Sequence, residues 1–411
     1  MVYFSFLAVT AAPGFSQEPV TINALLDMAK QNNAEIIAAR ERMRAAGARV
    51  AGERTWDKPR LTLEWWDIPE GTFDLSGAAQ KMYGISQSVP FPGKLGARGA
   101  VAGAEAEIAQ WEYRRVEQDV VSRLKSEYAA YYYLVKSIET LRKTSGIMND
   151  LGKVAEAKYM TGKASQGELL RAQIEAEKMS AEAVNLDSER DSSAASINRL
   201  LGKSEDAVLG DPEELNSFNE TVSWDEIKAL VLNNNPEFKI AQAMELKAKR
   251  ERRSARLEYL PDFDITYRRK TLNGQWAGSD FMFGFDVPLW FSKQGSLVRE
   301  TRHSREAAGA LGADAGFAAV AGAKEAFIKL GNSKRMAELY NKSVLPKSEQ
   351  ALNVTRSGYD AGKAGFLELM ENVKSYLQLR LEYYGYVSDY VKGLAALEKA
   401  AGANVQKGAG K

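Results

Sequence analysis

The chain has 411 residues, a formal net charge of +1 and no cysteine. The absence of cysteine excludes disulfide bonds and thiolate metal sites, and it suits a protein exported to an oxidising compartment. Basic and acidic residues are interleaved along the chain, so the charge pattern gives no indication of nucleic acid as a partner.

The N-terminus has the pattern of an export signal. An apolar segment is followed by Gly14, Phe15 and Ser16, a small-x-small pattern that predicts a signal peptide over residues 1–16, cleaved near Ser16. The usual basic residues before the apolar segment are missing. No later stretch has 18 uninterrupted apolar residues, so a part that spans a membrane would have to consist of strands.

The chain repeats itself at an offset of about 200 residues. Three motifs return in the same order: Asn32-Asn33-Ala34-Glu35 as Asn234-Asn235-Pro236-Glu237, Ser88-Val89-Pro90-Phe91 as Asp286-Val287-Pro288-Leu289, and Tyr159-x-x-Gly162-Lys163-Ala164 as Tyr359-x-x-Gly362-Lys363-Ala364. Several motifs with little drift in spacing indicate duplication of a whole structural unit. We therefore expect a first structural repeat over 17–202, a linker over 203–223, a second repeat over 224–402 and a disordered tail over 403–411.

The first repeat is predicted to contain three helices and a β-hairpin. Thr21 can cap a first helix, which Pro59 brings to an end. A β-hairpin is expected at about 59–90. The segment from about 95 to 159 contains no proline and predicts a helix of about 100 Å at 1.5 Å per residue. A tip at about 161–167 leads into the last helix of the repeat.

The second repeat follows the same plan. We expect a helix from about 223 to 259, a hairpin at about 261–291, a long helix from about 294 to 358, a tip at about 359–365 and a final helix to about 401. In each half the two shorter helices, stacked end to end, match the long helix in length. Each half can therefore form two helical columns, with the hairpin at one end and the tip at the other.

The predicted strands alternate between apolar and polar residues. The apolar face, expected to face lipid, carries Leu61, Leu63, Trp65, Tyr83, Ile85, Phe263, Ile265, Tyr267, Phe281, Phe283 and Phe285. This alternation is typical of the wall of an outer-membrane barrel with a wet lumen, and also of a soluble sheet with one buried face. The export signal and the lack of an apolar helix of sufficient length favour the barrel.

Four strands are too few to close a barrel, since about eight is the practical minimum. Open strand edges are excluded from lipid because every backbone polar group there must be paired. The chain is therefore expected to oligomerise, with eight strands in a dimer or twelve in a trimer.

Taken together, these features resemble the TolC family of outer-membrane efflux channels. The resemblance covers the whole mature chain and depends on the duplicated order of elements, the strand-ending segments Gln87–Leu95 and Asp286–Trp290, and the two Tyr-x-x-Gly-Lys-Ala turns. It implies a mainly α fold with a small β part, in which duplicated long-helix coiled coils and two β-hairpins form a trimeric 12-stranded outer-membrane β-barrel, continued by a periplasmic α-helical barrel.

The resemblance also implies partners and a place in the cell. The expected assembly is a homotrimer in the outer-membrane lipid of a Gram-negative bacterium, with a long periplasmic extension. It would be the passive exit duct of a tripartite efflux or type I secretion system. The partners would be a periplasmic adaptor (membrane fusion) protein and an inner-membrane efflux pump or type I secretion transporter.

The same resemblance assigns roles to the tips. Glu368 and Glu371 lie at i, i+3 on one helix face and are implied to form a periplasmic gate, where three copies would place six carboxylates that favour cations. Residues expected to form links that hold the tips closed are Glu168, Arg171 and Tyr359. Residues expected to dock the adaptor at the tips are Gly162, Lys163, Gly362 and Lys363.

Two alternatives remain open from the sequence. One is a heavy-metal cation efflux channel of the same fold, because Leu63–Pro69 resembles the first-strand region of heavy-metal members. The other is a soluble periplasmic coiled-coil scaffold or adaptor with buried hairpins. An enzyme is not predicted: His303 is the only histidine and supports neither a catalytic triad nor a metal site, and no cofactor is expected.

Overall fold

The computed structural model describes residues 20–71, 74–215, 218 and 223–406. The predicted signal peptide and its cleavage site lie outside the described residues. The chain divides into two units. The tip unit consists of Met1–Ala34, Gln118–Ile227 and Ala323–Lys411, and the sheet unit consists of Glu35–Glu117 and Lys228–Gly322.

The described helices and strands follow one another in the same order in both halves. The first half contains α1 (Ile22–Asn32), α2 (Ala34–Glu53), β1 (Arg60–Trp66), a short 3-10 helix (Leu75–Gly77), β2 (Gln80–Val89), α3 (Lys94–Met160) and α4 (Gln166–Leu201). The second half contains α5 (Trp224–Asn234), α6 (Pro236–Leu257), β3 (Asp262–Leu272), β4 (Gln275–Asp286), α7 (Phe291–Leu339), a π-helical turn (Tyr340–Val344), α8 (Leu345–Asp360) and α9 (Phe366–Ala401).

The repeated Asn-Asn motif marks a helix break that the sequence analysis did not predict. The first predicted helix is in fact α1 and α2, separated at Asn33, which is buried in an extended conformation and donates from its side-chain amide to the Leu200 carbonyl at 2.9 Å. The counterpart Asn235 caps α6 by accepting from the Phe238 amide at 2.8 Å, and Pro236 occupies the first turn. Short polar side chains and proline favour such helix starts, which explains why the motif occurs twice.

The expected long helix of the second half is interrupted by the π-helical turn. Pro346 follows this turn, and proline cannot donate a backbone hydrogen bond to the preceding turn of a helix. The Leu345 amide bonds instead to the Tyr340 carbonyl, five residues back, so the wider turn accommodates the proline.

The four strands form one antiparallel sheet in the order β1-β2-β3-β4. Residues directly opposite in an antiparallel pair point to the same face, and the register aligns Leu61, Ile85, Tyr267 and Phe281 across the sheet. All eleven residues predicted for the apolar face lie on one face. Most of them are exposed in the described chain, while Trp65 and Phe263 are half-buried. The β3–β4 turn is Asn273-Gly274 with positive φ at both residues, the geometry of a two-residue hairpin.

An ion pair joins the two halves where β2 and β3 meet the helices. Lys94 begins α3 with only 3% of its side chain exposed, and its Nζ lies 2.9 Å from Asp262 Oδ1 and 3.6 Å from Glu258 Oε2. The Asp262 carboxylate also accepts from the Phe91 amide at 2.8 Å. Asp262 therefore connects the end of the first hairpin to the start of the second.

In the tip unit, three tyrosines of α3 hold the linker. Tyr128, Tyr131 and Tyr132 lie at i, i+3 and i+4 on one helix face. The Tyr128 hydroxyl donates to the Val20 carbonyl and accepts from the Glu213 amide. The other two hydroxyls donate to the Leu209 carbonyl and the Glu214 carboxylate. The described part of the linker is therefore packed along α3.

The expectation of a disordered tail from residue 403 is wrong for residues 403–406, because Val405 is fully buried. An apolar side chain with no exposed surface fixes the backbone that carries it. Residues 407–411 lie outside the described part of the chain. None of the described helices is both long enough and apolar enough to cross a membrane.

We expect Asp262→Ala to lower the free energy of unfolding of the sheet unit by about 3 kcal/mol, because it leaves the buried Lys94 cation with only the more distant Glu258. Lys94→Met should cost less, since Asp262 is more exposed and keeps the Phe91 amide. Denaturant unfolding followed by tryptophan fluorescence measures both changes.

The matched control is Arg44→Ala, which removes an ion pair with Glu41 whose two side chains are both more than half exposed. Its effect should stay within about 0.5 kcal/mol. Equal losses in the control and in Asp262→Ala would contradict the role given to burial.

Candidate functional site

The two tips have the same backbone geometry. In the first, the Gly162 amide bonds to the Tyr159 carbonyl and the Lys163 amide bonds to the Lys158 carbonyl at 2.8 Å. In the second, the corresponding bonds run from Gly362 to Tyr359 and from Lys363 to Gly358 at 2.7 Å. Gly162 and Gly362 have φ of 70° and 71°. This pattern closes a helix with a left-handed residue, which explains the glycine in each motif.

The side chains at the tips differ where the backbones agree. Tyr159 is 44% exposed, whereas its counterpart Tyr359 is 4% exposed. Tyr359 packs against Phe366, with ring centroids 6.0 Å apart, within a cluster that includes Leu369 and Ala172. The two tips therefore contact each other through the tyrosine of the second.

A cation from the first tip lies on this tyrosine. Lys158 Nζ is 3.6 Å from the centroid of the Tyr359 ring and donates to the Tyr359 backbone carbonyl. Because Lys158 is half-buried, a cation–π contact of this kind contributes about 1 kcal/mol. At the equivalent position of the second tip is Gly358, where an added Cβ would lie 3.1 Å from the Ala364 Cβ. The second tip has little room for a side chain at this position.

Glu168 lies close to the Tyr359 hydroxyl. Burial and then the negative charge of Glu168 raise the pKa of Tyr359 above its ordinary value of 10.0. The hydroxyl is buried and meets strict hydrogen-bond geometry with none of the described residues, so Glu168 acts on it through its charge and at most a weak hydrogen bond. Arg171 is exposed and lines the same cleft as Glu168 and Phe366, and it makes no hydrogen bond to the Tyr359 hydroxyl.

Glu368 and Glu371 lie on the exposed face of α9, while Leu369 and Met370 face the core. The i, i+3 spacing of the two glutamates therefore places both carboxylates on one accessible surface of α9. One turn further, Lys374 is 3.2 Å from Glu175 of α4, and Glu175 also contacts Lys178 at 3.4 Å. These contacts lower the pKa of Glu175 against the opposing effect of burial.

The sequence analysis missed Lys158, Glu175 and Lys374. Lys158 directly precedes the Tyr-x-x-Gly-Lys-Ala motif, and comparison of the two copies shows lysine in the first and glycine in the second. This difference between the two copies could have identified Lys158 as a candidate residue from the sequence. The Glu175–Lys374 pair joins helices about 200 residues apart and has no local pattern that identifies it.

The face of the sheet opposite the apolar residues is charged. It carries Arg60, Glu64, Asp264, Arg268, Lys270, Asp280 and Asp286. Gly84 makes room on this face, because a Cβ there would lie 2.3 Å from Thr62 Oγ1 and 3.0 Å from Arg268 Cγ. One face of the sheet is therefore mainly apolar, with Lys81 and Arg269 as its charged exceptions, and the other face is mainly polar and charged. Among the described residues, no group of three His, Cys, Asp or Glu side chains is placed to hold a metal ion.

This architecture is that of known outer-membrane channels. The fold is similar to VceC from Vibrio cholerae, with a TM-score of 0.77 and 16% identity over 93% of this chain and 96% of that one. It is also similar to CusC, a protein described as forming a transmembrane channel, with a TM-score of 0.78 and 14% identity over 96% of each chain.

Sequence comparison identifies the family. The profile of the family described as outer membrane efflux protein matches residues 25–203 and 229–403. The chain is also 21% identical over 400 residues to the cobalt-zinc-cadmium resistance protein CzcC of Cupriavidus metallidurans, covering 95% of this chain and 92% of that protein. The chain therefore belongs to the outer membrane efflux protein family.

Family and fold together confirm the main prediction from the sequence. The protein is an efflux channel of the Gram-negative outer membrane, of the TolC-like fold, with a helical extension into the periplasm. The family and the fold are those of channels rather than enzymes. The alternative of a soluble scaffold is left without support.

We expect Glu168→Gln to lower the pKa of Tyr359, because it removes the negative charge next to the buried hydroxyl. Tyrosinate absorbance, taken as the difference from the same chain carrying Tyr359→Phe, isolates this titration. Since the folded-state pKa is raised, the neutral hydroxyl contributes to stability below the ordinary value of 10.0 and loses that contribution as the pH rises through the folded value.

The control for this titration is Glu182→Gln, an exposed glutamate elsewhere on α4. A Tyr359 titration that responds equally to both variants, or to neither, would contradict the placement of Glu168 beside the hydroxyl.

Proposed function

We propose that three copies of this chain form a passive exit duct, with the sheets closing a 12-stranded barrel and the tips at the periplasmic entrance. The observation that carries this proposal is the four-stranded sheet with an exposed apolar face, a charged opposite face and two edges without a strand partner in the described chain. Lipid would cover the apolar face, and water would fill the lumen on the charged side.

In this assembly the cargo would come from a periplasmic adaptor and an inner-membrane pump or type I secretion transporter. The docking surface would be the tips, where Lys163 and Lys363 are exposed next to the left-handed glycines Gly162 and Gly362. Both tips present the same backbone shape, so an adaptor could bind either by one mode.

The gate would be formed by the carboxylates of α9. Glu368 and Glu371 are exposed on one helix face close to the tip, so three copies would place six negative charges around the entrance. The contacts of Tyr359 with Lys158 and Glu168 join the tips within one chain and would have to break or slide for the helices to move apart. Arg171, exposed in the same cleft, is available to a neighbouring copy.

We expect the purified protein to form cation-selective pores in planar lipid bilayers. Glu368→Gln combined with Glu371→Gln should move the reversal potential in a KCl gradient towards zero, because it removes the six carboxylates from the entrance. An unchanged reversal potential would eliminate these residues as the selectivity site, and the absence of pores would contradict the duct itself.

The matched control is Glu182→Gln with Glu189→Gln, two exposed glutamates of α4 on one helix face. This pair removes the same number of charges from each chain and should leave the reversal potential unchanged.

Lys158→Ala, which takes the cation off the Tyr359 ring, should raise the fraction of time that the pore is open.

The cargo that we propose is divalent heavy-metal cations. Two observations favour this: the similarity to a cobalt-zinc-cadmium resistance protein over nearly the whole chain, and the paired carboxylates proposed for the entrance. The sequence Leu63–Pro69, which includes Glu64 on the charged face of the sheet, agrees with it.

Deletion of the coding sequence in the source bacterium should make the cells more sensitive to Co²⁺, Zn²⁺ and Cd²⁺, because a duct for these ions would be lost. Growth across a concentration series of each metal measures the effect, and the intact coding sequence on a plasmid should reverse it. Unchanged metal tolerance together with lost tolerance to organic toxins would replace metals with drugs as the cargo.

A further inference from the structure

Two basic residues lie on the apolar face of the sheet. Lys81 is directly opposite Trp65, and Arg269 is directly opposite Tyr83. Directly opposite residues of an antiparallel pair share a face, so both cations are on the face that carries the predicted lipid-facing residues. None of the described strand residues on this face is acidic.

Both cations lie at the loop end of this face. The registers arrange its residues in five rows across the strands, and the two rows nearest the hairpin loops contain Lys81 and Arg269, while the other three rows contain no charged residue. Rows on one face are about 7 Å apart, so five rows of strands tilted by about 40° cover about 20 Å of depth. The apolar band of a membrane barrel is about 25 Å tall, which places the cations at one of its borders.

This border is the exterior one. The helical extension of the channel is periplasmic, and the strands join the helices at the end opposite to the hairpin loops. Lys81 and Arg269 are on the inner strands β2 and β3, so closing the outer edges of the sheet would leave them uncovered. The surroundings of the two cations would therefore be the lipids of the exterior leaflet.

The Arg269 side chain is positioned by an aromatic ring. Its guanidinium carbon lies 3.7 Å from the centroid of the Trp276 ring, and that ring lies 6.3 Å from the ring of Tyr83. A guanidinium that lies over a ring keeps its N–H groups at its rim. No described residue forms a hydrogen bond or an ion pair with these N–H groups, so they are available to a ligand.

Lys81 is close enough to share a ligand with Arg269. It is opposite Thr271, two residues along β3 from Arg269, and such diagonal neighbours are about 7–8 Å apart, within reach of long side chains. Lys81 Nζ donates to the Ser76 carbonyl at 3.1 Å, which uses one of its three N–H groups. Asp74 is within electrostatic reach of Lys81, but its carboxylate already accepts from the amide and hydroxyl of Ser76.

The charged face of the sheet differs because it supplies a partner for its cation at the same depth. Lys270 follows Arg269 in β3, and its Nζ lies 3.6 Å from Asp280 Oδ1 on the charged face. Arg269 has no such carboxylate among the described residues. A cation on the lipid side is costly at the centre of the bilayer and costs little at the border, where an anionic headgroup can supply the missing charge.

We propose that Lys81 and Arg269 bind a phosphate group on the headgroup of an anionic lipid in the exterior leaflet. The guanidinium offers two parallel N–H donors to two phosphate oxygens, and the ammonium adds a second positive charge. Trp276 and Tyr83 lie beside the cations, at the level where aromatic rings contact the boundary between headgroups and acyl chains. The inference rests on the proposed placement of the apolar face in lipid, and it specifies a ligand for that face.

Native mass spectrometry of the full chain in detergent, after removal of co-purified lipid, measures this binding. The probe is lipid A, a glycolipid that carries phosphate groups. Lys81→Gln with Arg269→Gln should weaken its binding by about 30-fold, since each cation near a membrane surface contributes about fivefold. Lys81→Arg with Arg269→Lys keeps both charges and should retain most of the binding.

The matched control is Arg60→Gln with Lys270→Gln, which removes two cations from the charged face of the same sheet. Its binding of lipid A should equal that of the wild type. An equal loss in the control, or no loss in Lys81→Gln with Arg269→Gln, would overturn the site.

Two further probes identify the ligand. Lipid A stripped of its phosphates should bind the wild type as weakly as lipid A binds Lys81→Gln with Arg269→Gln, and equally tight binding of both lipids would overturn phosphate recognition. Inorganic phosphate should compete only at a far higher concentration than lipid A. Competition at equal concentration would make this a site for dissolved anions and overturn lipid as its ligand.

Pore formation by the wild type in planar bilayers separates the two possible failures. Pores together with any of the contrary binding results would overturn the lipid site and leave the proposed duct standing. The absence of pores would contradict the duct itself, and with it the placement of the apolar face in lipid.

Discussion

Backbone pairing in lipid is the constraint on which the rest of this structure depends. A sheet with one apolar face can lie in a membrane, but its edges must find partners because lipid offers no hydrogen bonds to N–H and C=O groups. Within one chain, β2 and β3 satisfy this constraint for each other and in doing so unite the two repeats in a single sheet. The outer edges of β1 and β4 have no strand partner in the described chain, and this is the observation behind the proposed assembly of several copies.

Duplication explains much of the architecture, and divergence between the copies explains the site. Both tips retain the glycine that closes the long helix, because the left-handed backbone position is required in each. The side chains around that turn have diverged: Lys158 corresponds to Gly358, and the exposed Tyr159 corresponds to the buried Tyr359. The result is an asymmetric contact between the tips, in which the first supplies the cation of Lys158 and the second supplies the ring of Tyr359. The junction of sheet and helices shows the same divergence, since the residues that correspond to Lys94 and Asp262 in the other repeat are Ser292 and Arg60.

Much of the fold could be predicted because its signals are local. The alternation of the strands assigns each residue to a face, and the structure places all eleven predicted apolar residues together. The spacing of Glu368 and Glu371 places them on one helix face in the same way. The breaks at Asn33 and Asn235 were missed, although a capping asparagine stood in each copy, because the apolar pattern continues across them. The burial of Val405 was missed because a short polar tail with one apolar residue has no periodic pattern.

The sequence by itself determined the duplication, the order of helices and strands, the two faces of the sheet and the shape of the tips. Each of these depends on residues within a few positions of one another, where periodicity, proline and glycine act directly on the backbone. Only the tertiary structure decided which side chains meet across the fold. The contacts of Lys158 with Tyr359, of Glu175 with Lys374 and of Lys94 with Asp262 join residues about 170 to 200 positions apart. Their energy comes from burial and charge at short distance, which the packing of helices and strands creates and no local pattern encodes.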